Sequence, residues 1–70
     1  MNYDYTNAFL EITNPDGHKN LIRKTDIKYI YDYKNRDGEE KTLIRVEGGN
    51  SFTFDGNVDE VLNKAKTVFL

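Results

Sequence analysis

The chain has 70 residues, with 12 acidic and 10 basic side chains and no cysteine. This length predicts one small domain, whose own core contributes only about 3–5 kcal/mol and which often needs a partner. The lack of cysteine excludes disulfides and thiolate metal sites, and in so small a domain it favours the cytoplasm.

Residues 1–7 predict a flexible N-terminus rather than a signal peptide, because no basic segment precedes an apolar run. No apolar stretch approaches the roughly 18–20 residues that span a bilayer. We therefore expect a soluble protein that does not engage membranes.

The next segment predicts a β-hairpin. Residues 8–13 alternate in polarity, with Ala8, Leu10 and Ile12 on one side, which is typical of a strand. Asn14-Pro15-Asp16-Gly17 predicts a tight turn, because proline presets its own φ and glycine accepts a positive φ. A short return strand follows at residues 19–23, and residues 24–26 break the pattern.

Residues 27–33 are the most β-prone segment, being β-branched or aromatic almost throughout. The odd positions, predicted to share one face, are Ile27, Tyr29, Tyr31 and Tyr33, with Ile30 on the opposite face.

Two further turns complete the predicted sheet. Asp37-Gly38, in the polar loop 34–40, predicts a second hairpin connection. A strand follows at residues 42–46, with Thr42, Ile44 and Val46 predicted to share one face. Gly48-Gly49 predicts a third tight turn before a last strand at residues 51–54.

The apolar spacing then changes to that of a helix, predicted over residues 57–69. Asn57 is placed as the N-cap, and Glu60, three residues later, completes a capping box. The predicted apolar stripe consists of Val58, Val61, Leu62, Ala65, Val68 and Phe69.

Together these elements predict a single α+β domain over residues 1–70, a five-stranded antiparallel β-meander (8–54) with one C-terminal amphipathic helix (57–69). Both faces of the predicted sheet carry apolar residues, although one helix can cover only one face. Either the sheet curls into a small barrel, or two copies pack together. We favour self-association as a homo-oligomer, because so small a core is marginal.

The sequence predicts no enzyme, no cofactor and no metal site. His18 is the single histidine and follows a turn glycine, and Ser51 lacks the surroundings of a nucleophile. Asp55, Asn57 and Asp59 match the opening of a calcium loop, but Glu60 replaces the required glycine. Helix capping explains these residues better.

Three tyrosines with nearby cations form the predicted binding site. Aromatic rings on a strand are compatible with structural packing, with a protein or self interface, or with stacked bases whose phosphates meet the cations. A protein or self interface is the preferred functional interpretation, and a nucleotide or nucleic acid is the second choice. The candidate residues are Tyr29, Tyr31, Tyr33, Lys28, Lys34 and Arg36.

Charge is unevenly distributed along the chain. Residues 18–36 contain six cations and two carboxylates, whereas residues 37–60 contain seven carboxylates and two cations. Such polarity can steer a charged partner or favour contact between copies. An ordinary mixed surface is the simpler interpretation.

Three segments resemble the small flagellar FlbD/SwrD-type proteins: residues 26–30, residues 42–49 and the helix start at residues 58–62, with Gly17 as the turn glycine. The resemblance extends in order and spacing over roughly residues 8–66. It implies a nonenzymatic regulator that acts through contacts, and it transfers no functional residue.

We therefore expect a noncatalytic protein-interaction module, a small regulator or inhibitor that binds a partner's surface. The alternative is a protein that binds or sequesters a nucleotide signal or single-stranded nucleic acid. A phage-type inhibitor of a host defence enzyme also fits the size and acidity of the chain.

Overall fold

The computed structural model describes residues 7–70, which form six strands and one helix. Of the predicted flexible N-terminus, residues 1–6 lie outside the described residues. The elements are β1 (Ala8–Thr13), β2 (Lys19–Arg23), β3 (Ile27–Lys34), β4 (Glu40–Val46), β5 (Ser51–Asp55), α1 (Val58–Lys64) and β6 (Lys66–Phe69). The five predicted strands are confirmed, with β3, β4 and β5 slightly longer than predicted.

The strands form two antiparallel three-stranded sheets rather than one meander. The first sheet has the order β2-β1-β6, and the second has the order β3-β4-β5. A single 3₁₀ turn at Lys24–Asp26 carries the chain from one sheet to the other. The predicted five-stranded meander is therefore wrong, and within residues 7–70 the strands do not close into a barrel.

The predicted helix over 57–69 is wrong in its second half. α1 ends at Lys64, Ala65 adopts an extended conformation, and β6 pairs with β1 in the register Phe9 opposite Val68. The run from Lys66 to Phe69 contains β-branched and aromatic residues, which favour a strand. Pairing with β1 satisfies the backbone groups along an edge that a helix would have left open.

The inner faces of the two sheets share one hydrophobic core. The alternation predicted for β1 and β4 is confirmed, because Leu10 and Ile12 are buried from the first sheet and Ile44 and Val46 from the second. The sequence predicted more apolar surface on the sheet than one helix can cover. Part of that surface is buried because the two sheets cover each other, and α1 covers a further part. The core cluster consists of Leu10, Ile12, Ile22, Ile44, Val46, Phe54 and Val61.

A β-bulge in β3 corrects the predicted face of Ile27. Ile27 lies opposite Val46 but Tyr29 lies opposite Arg45, so one extra residue, Lys28, is accommodated between them. Ile27 consequently packs against the core together with Ile30, whereas the three tyrosines face outward. The prediction that Ile27 shares the tyrosine side is wrong, because strict alternation fails at a bulge.

The predicted local signals at the turns and at the start of α1 are confirmed. Gly48 and Gly49 adopt φ values of 90° and 87°, which other residues rarely adopt. The side chain of Asn57 accepts a hydrogen bond from the Glu60 backbone N–H at 2.8 Å, and Glu60 Oε1 accepts one from the Asn57 N–H at 3.1 Å. Over residues 7–70, none of the helical structure has the length and apolar character of a bilayer span.

Candidate binding surface

The outer face of the second sheet, here called the tyrosine face, collects aromatic, apolar and charged side chains in three cross-strand rows. Each row contains one residue from β3, one from β4 and one from β5, and the rows are fixed by the strand register. The rows are Tyr29–Arg45–Ser51, Tyr31–Leu43–Thr53 and Tyr33–Lys41–Asp55.

The three tyrosines contact one another along β3 while remaining open to solvent. The ring centroids of Tyr29 and Tyr31 are 5.9 Å apart and those of Tyr31 and Tyr33 are 6.0 Å apart, both within the range of favourable aromatic pairs. Their exposed fractions are 49%, 45% and 39%. The structure therefore presents a continuous aromatic row rather than three separate rings.

Leu43 and Arg45 extend this row toward the centre of the sheet. Both are half-buried on β4, opposite Tyr31 and Tyr29 respectively. Arg45 Nη1 donates a hydrogen bond to the Gly49 carbonyl at 3.0 Å, while its Nε is buried and makes no hydrogen bond to any of the described residues. Neither residue was among the predicted site residues. Their alternation with the buried residues of β4 would have placed them on the outer face, and it was the signal by which the sequence could have identified them.

Lys41 forms an ion pair within the tyrosine face. Its Nζ donates to Asp55 Oδ1, the neighbouring side chain of the same row. This hydrogen bond holds the pKa of Lys41 above its ordinary value of 10.5. The lysine therefore remains charged at neutral pH, but its charge is matched by the carboxylate of Asp55.

The predicted cationic residues do not join the tyrosines in one cluster. Lys28 lies at the bulge with its Nζ 4.0 Å from Glu47 Oε2. Lys34 is the last residue of β3 and lies opposite Glu40. Arg36 is exposed in the β3–β4 turn. The cations are thus spread along β3 and its turn, and acidic side chains from β4 and the following turn lie near two of them.

Among residues 7–70, β3 is an edge strand of the second sheet, so part of its backbone is also available for binding there. The Asn35 N–H donates a hydrogen bond to the Glu39 carbonyl across the two strands. Hydrogen-bonded positions recur at every second residue of an antiparallel pair, so the odd-numbered residues Tyr29 to Tyr33 also direct their backbone groups toward β4. The N–H and C=O groups of Ile30, Asp32 and Lys34 therefore point away from β4. Among residues 7–70 these groups make no backbone hydrogen bond.

His18, the single histidine, makes a local contact in the β1–β2 turn. His18 is exposed, and its ring Nδ1 lies 3.0 Å from Asp16 Oδ2 in the β1–β2 turn. Two hydrogen bonds from His18 lower the pKa of Asp16 below 3.8. The bond from the His18 backbone N–H has the larger effect, and the bond from the His18 ring has the smaller one. Within the described part of the chain, no three His, Asp or Glu side chains are grouped so as to hold a metal ion.

One cavity of about 320 Å³ lies between the β1–β2 turn, β5 and α1. Pro15, Phe54 and Val61 contribute apolar walls, with Asp55 and Lys64 also among the lining residues. Asp55 already pairs with Lys41. The cavity therefore offers no arrangement of polar groups comparable to that of the tyrosine face.

Comparison with protein-family models, with curated proteins and with solved structures finds no match to this chain. The resemblance to the FlbD/SwrD-type proteins stays a prediction, and the tyrosine face is interpreted from its own residues.

Proposed function

We propose that the protein is a noncatalytic interaction module that binds protein, including a second copy of itself, through β3 and the tyrosine face. In this role it regulates or inhibits by covering a partner's surface rather than by chemistry. The observation that carries the proposal is the contiguous row of exposed tyrosines on an edge strand.

This row has the residue composition of a hot spot, the group of interface residues that contributes most of the binding free energy. Tyrosine and arginine are enriched among interface residues whose truncation costs more than about 2 kcal/mol. Tyr31 lies in the middle of the row, between two other rings and opposite the half-buried Leu43. A partner that covers Tyr31 would therefore also exclude water from its aromatic and apolar neighbours.

A protein partner is favoured over a nucleotide or nucleic acid by the distribution of charge. Binding to phosphates draws its affinity from cations that are free to replace counterions. On the tyrosine face Lys41 is paired with Asp55, and beside it Lys28 lies near Glu47. Nucleotide or single-stranded nucleic-acid binding is accordingly the second candidate, and it predicts an affinity that falls steeply as salt is added.

The direct test is the molar mass of the purified protein over a concentration series, measured by sedimentation. We expect a reversible rise in mass with concentration and a weaker association for Tyr31→Ser, with the dissociation constant raised tenfold or more, equivalent to about 1.4 kcal/mol. The matched control is Leu21→Ser, since Leu21 has a similar exposed fraction (48%) but lies on the first sheet.

A mass that stays monomeric at all concentrations would contradict self-association. An equal effect of Tyr31→Ser and Leu21→Ser would contradict the assignment of the tyrosine face. Binding of single-stranded oligonucleotides that disappears with salt and with Tyr31→Ser would replace the proposal with its second candidate.

A further inference from the structure

We propose that Asp37 is a site of spontaneous covalent modification, which isomerises to isoaspartate in the folded chain faster than Asp16 and Asp55 do. Each of these aspartates precedes a glycine, and the sequence contains three such Asp-Gly pairs. Two of the pairs lie in hairpin turns and the third lies at the end of β5. The reaction takes place within a single chain and does not depend on the proposed function.

The reaction uses only the aspartate side chain and the next backbone amide. The Gly38 nitrogen attacks Cγ of the protonated Asp37 carboxyl, an N–Cγ bond forms, and the amide proton leaves with the carboxyl hydroxyl as water. The product is a cyclic succinimide. Water then opens the ring: cleavage of the N–Cγ bond restores aspartate, whereas cleavage between the nitrogen and the backbone carbonyl carbon gives isoaspartate. Glycine favours ring closure because it has no side chain to obstruct the approach.

The carboxylate of Asp37 is free to reach the Gly38 nitrogen. Asp37 is exposed at the tip of the β3–β4 turn, where its backbone N–H donates to Asn35 Oδ1 at 3.0 Å. Within residues 7–70 its carboxylate takes part in no hydrogen bond and no ion pair. The side chain can therefore rotate into the reactive position without losing a contact.

The carboxylate of Asp16, in contrast, is held by His18. Its Oδ1 accepts a hydrogen bond from the His18 backbone N–H at 3.0 Å, and its Oδ2 lies 3.0 Å from the ring Nδ1. These bonds lower the pKa of Asp16, so a smaller fraction of its carboxyl is protonated at a given pH. Because only the protonated carboxyl readily loses its hydroxyl as water, ring closure at Asp16 is slowed.

At Asp55 both reacting groups are held. The carboxylate forms an ion pair with Lys41, and the Gly56 N–H donates to the Glu40 carbonyl at 2.9 Å. The Gly56 carbonyl also accepts a hydrogen bond from the buried Thr42 hydroxyl at 2.8 Å. Ring closure at Asp55 therefore requires the end of β5 to separate from β4.

The Gly38 nitrogen is held only by its own turn. Its N–H donates to the Asn35 carbonyl at 3.0 Å, a contact between residues three positions apart. An exposed turn tip opens more readily than the paired part of a sheet. Among the three pairs, Asp37-Gly38 thus combines a free carboxylate with an amide that local opening can release.

Isomerisation at residue 37 lengthens the backbone of the turn that joins β3 to β4, because the main chain then passes through Cβ and Cγ of the former aspartate. Asn35 closes this turn: its N–H donates to the Glu39 carbonyl, and its Oδ1 accepts from the Glu39 N–H, both at 2.9 Å. The additional backbone atom disturbs both bonds. We therefore expect the isomerised chain, separated by chromatography, to unfold at a lower temperature than the unaltered chain.

Site-resolved peptide mapping tests the proposal. The purified chain is incubated at mildly acidic pH, and isoaspartate is quantified at each residue by electron-transfer fragmentation. We expect isomerisation at Asp37 to be about fivefold or more faster than at Asp16 and Asp55, the factor for one ordinary hydrogen bond that must first break. The same chain unfolded in urea is the matched control, and there the three sites should react at similar rates.

Three variants test the reasons for the difference. His18→Ala removes the ring contact and should accelerate isomerisation at Asp16, and Lys41→Met removes the ion pair and should accelerate it at Asp55. Neither should alter the rate at Asp37. Asp37→Glu should abolish the product in the turn, because glutamate would have to close a larger ring. Thermal unfolding of each variant verifies that the fold is retained.

Equal rates at the three sites of the folded chain, or a faster reaction at Asp16 or Asp55, would overturn the proposal. So would isoaspartate that forms at residue 37 only in urea, since the folded turn would then protect Asp37. The oligomeric state of the Tyr31→Ser variant has no bearing on these rates, so failure of the proposed function and failure of this inference are distinguishable.

Discussion

The carboxylate of Asp32 accepts a hydrogen bond from the backbone N–H of Val58 at 2.9 Å, which ties the edge strand β3 to the first residue of α1. The first N–H groups of a helix have no partner within the helix, and a negative charge there also interacts favourably with the helix dipole. Asp32 is therefore an anchor for α1 that comes from 26 residues earlier in the chain.

This anchor predicts the effect of removing the acceptor. Asp32→Ala should lower the free energy of unfolding by about 1 kcal/mol, as loss of a capping group does. Asp32→Asn keeps an acceptor oxygen and should recover most of that loss. Urea unfolding of the two variants and of the unaltered chain checks the prediction. An Asp32→Ala variant as stable as the unaltered chain would show that this hydrogen bond contributes nothing to stability.

Removal of the Thr42 hydroxyl should leave the part-buried carbonyl of Gly56 without its donor. The Thr42 side chain is fully buried, and its hydroxyl donates to the Gly56 carbonyl at 2.8 Å. Thr42→Val keeps the shape but leaves that carbonyl without this donor, so we expect a loss of about 1–2 kcal/mol in chemical denaturation. Thr53→Val, at an exposed position of β5, should be nearly neutral, and a comparable loss there would refute the interpretation.

The pairing of β6 with β1 can be tested by placing proline at either of two neighbouring positions of β6. Leu70 N–H bonds to the Asn7 carbonyl, and the alternation of the ladder therefore directs the Val68 N–H toward β1 and the Phe69 N–H away from it. Val68→Pro should destabilise the domain by on the order of 3 kcal/mol, whereas Phe69→Pro should be milder. Similar losses in thermal unfolding would contradict the pairing of β6 with β1.

The β1–β2 turn predicts a pH effect. The His18 backbone N–H, the larger contribution, and the His18 ring lower the pKa of Asp16 below 3.8. Because the folded pKa lies below the unfolded one, the ionised carboxylate stabilises the fold above the unfolded pKa. This stabilisation is lost as the pH falls through the folded pKa.

Carbon NMR of the Asp16 carboxyl during an acid titration measures this pKa directly. His18→Ala removes the ring but retains the backbone N–H, so the pKa should stay below 3.8 but rise toward it. An unaltered chain whose Asp16 titrates at or above 3.8 would contradict the hydrogen-bonded turn.

The candidate site was only partly predictable from the sequence. The alternation of residues 29, 31 and 33 is a local property, and it correctly placed three tyrosines on one side of a strand. The bulge at Lys28 depends on pairing with β4, so the sequence alone assigned Ile27 to the wrong face. In the described part of the chain, the edge position of β3 likewise follows from which strands pair, and this position leaves the outward backbone groups of β3 without a strand partner there.

The features that short-range chemistry controls could be predicted from the order of the residues. These are the hairpin turns with their glycines, the two-residue alternation of β1 and β4, and the capping box of Asn57 and Glu60. The division into two sheets and the strand at residues 66–69 depend instead on contacts between segments that are distant in the chain. The spacing of Val68 and Phe69 fits a helix as well as a strand, and the choice between them came from the backbone groups of β1, which are distant in the chain.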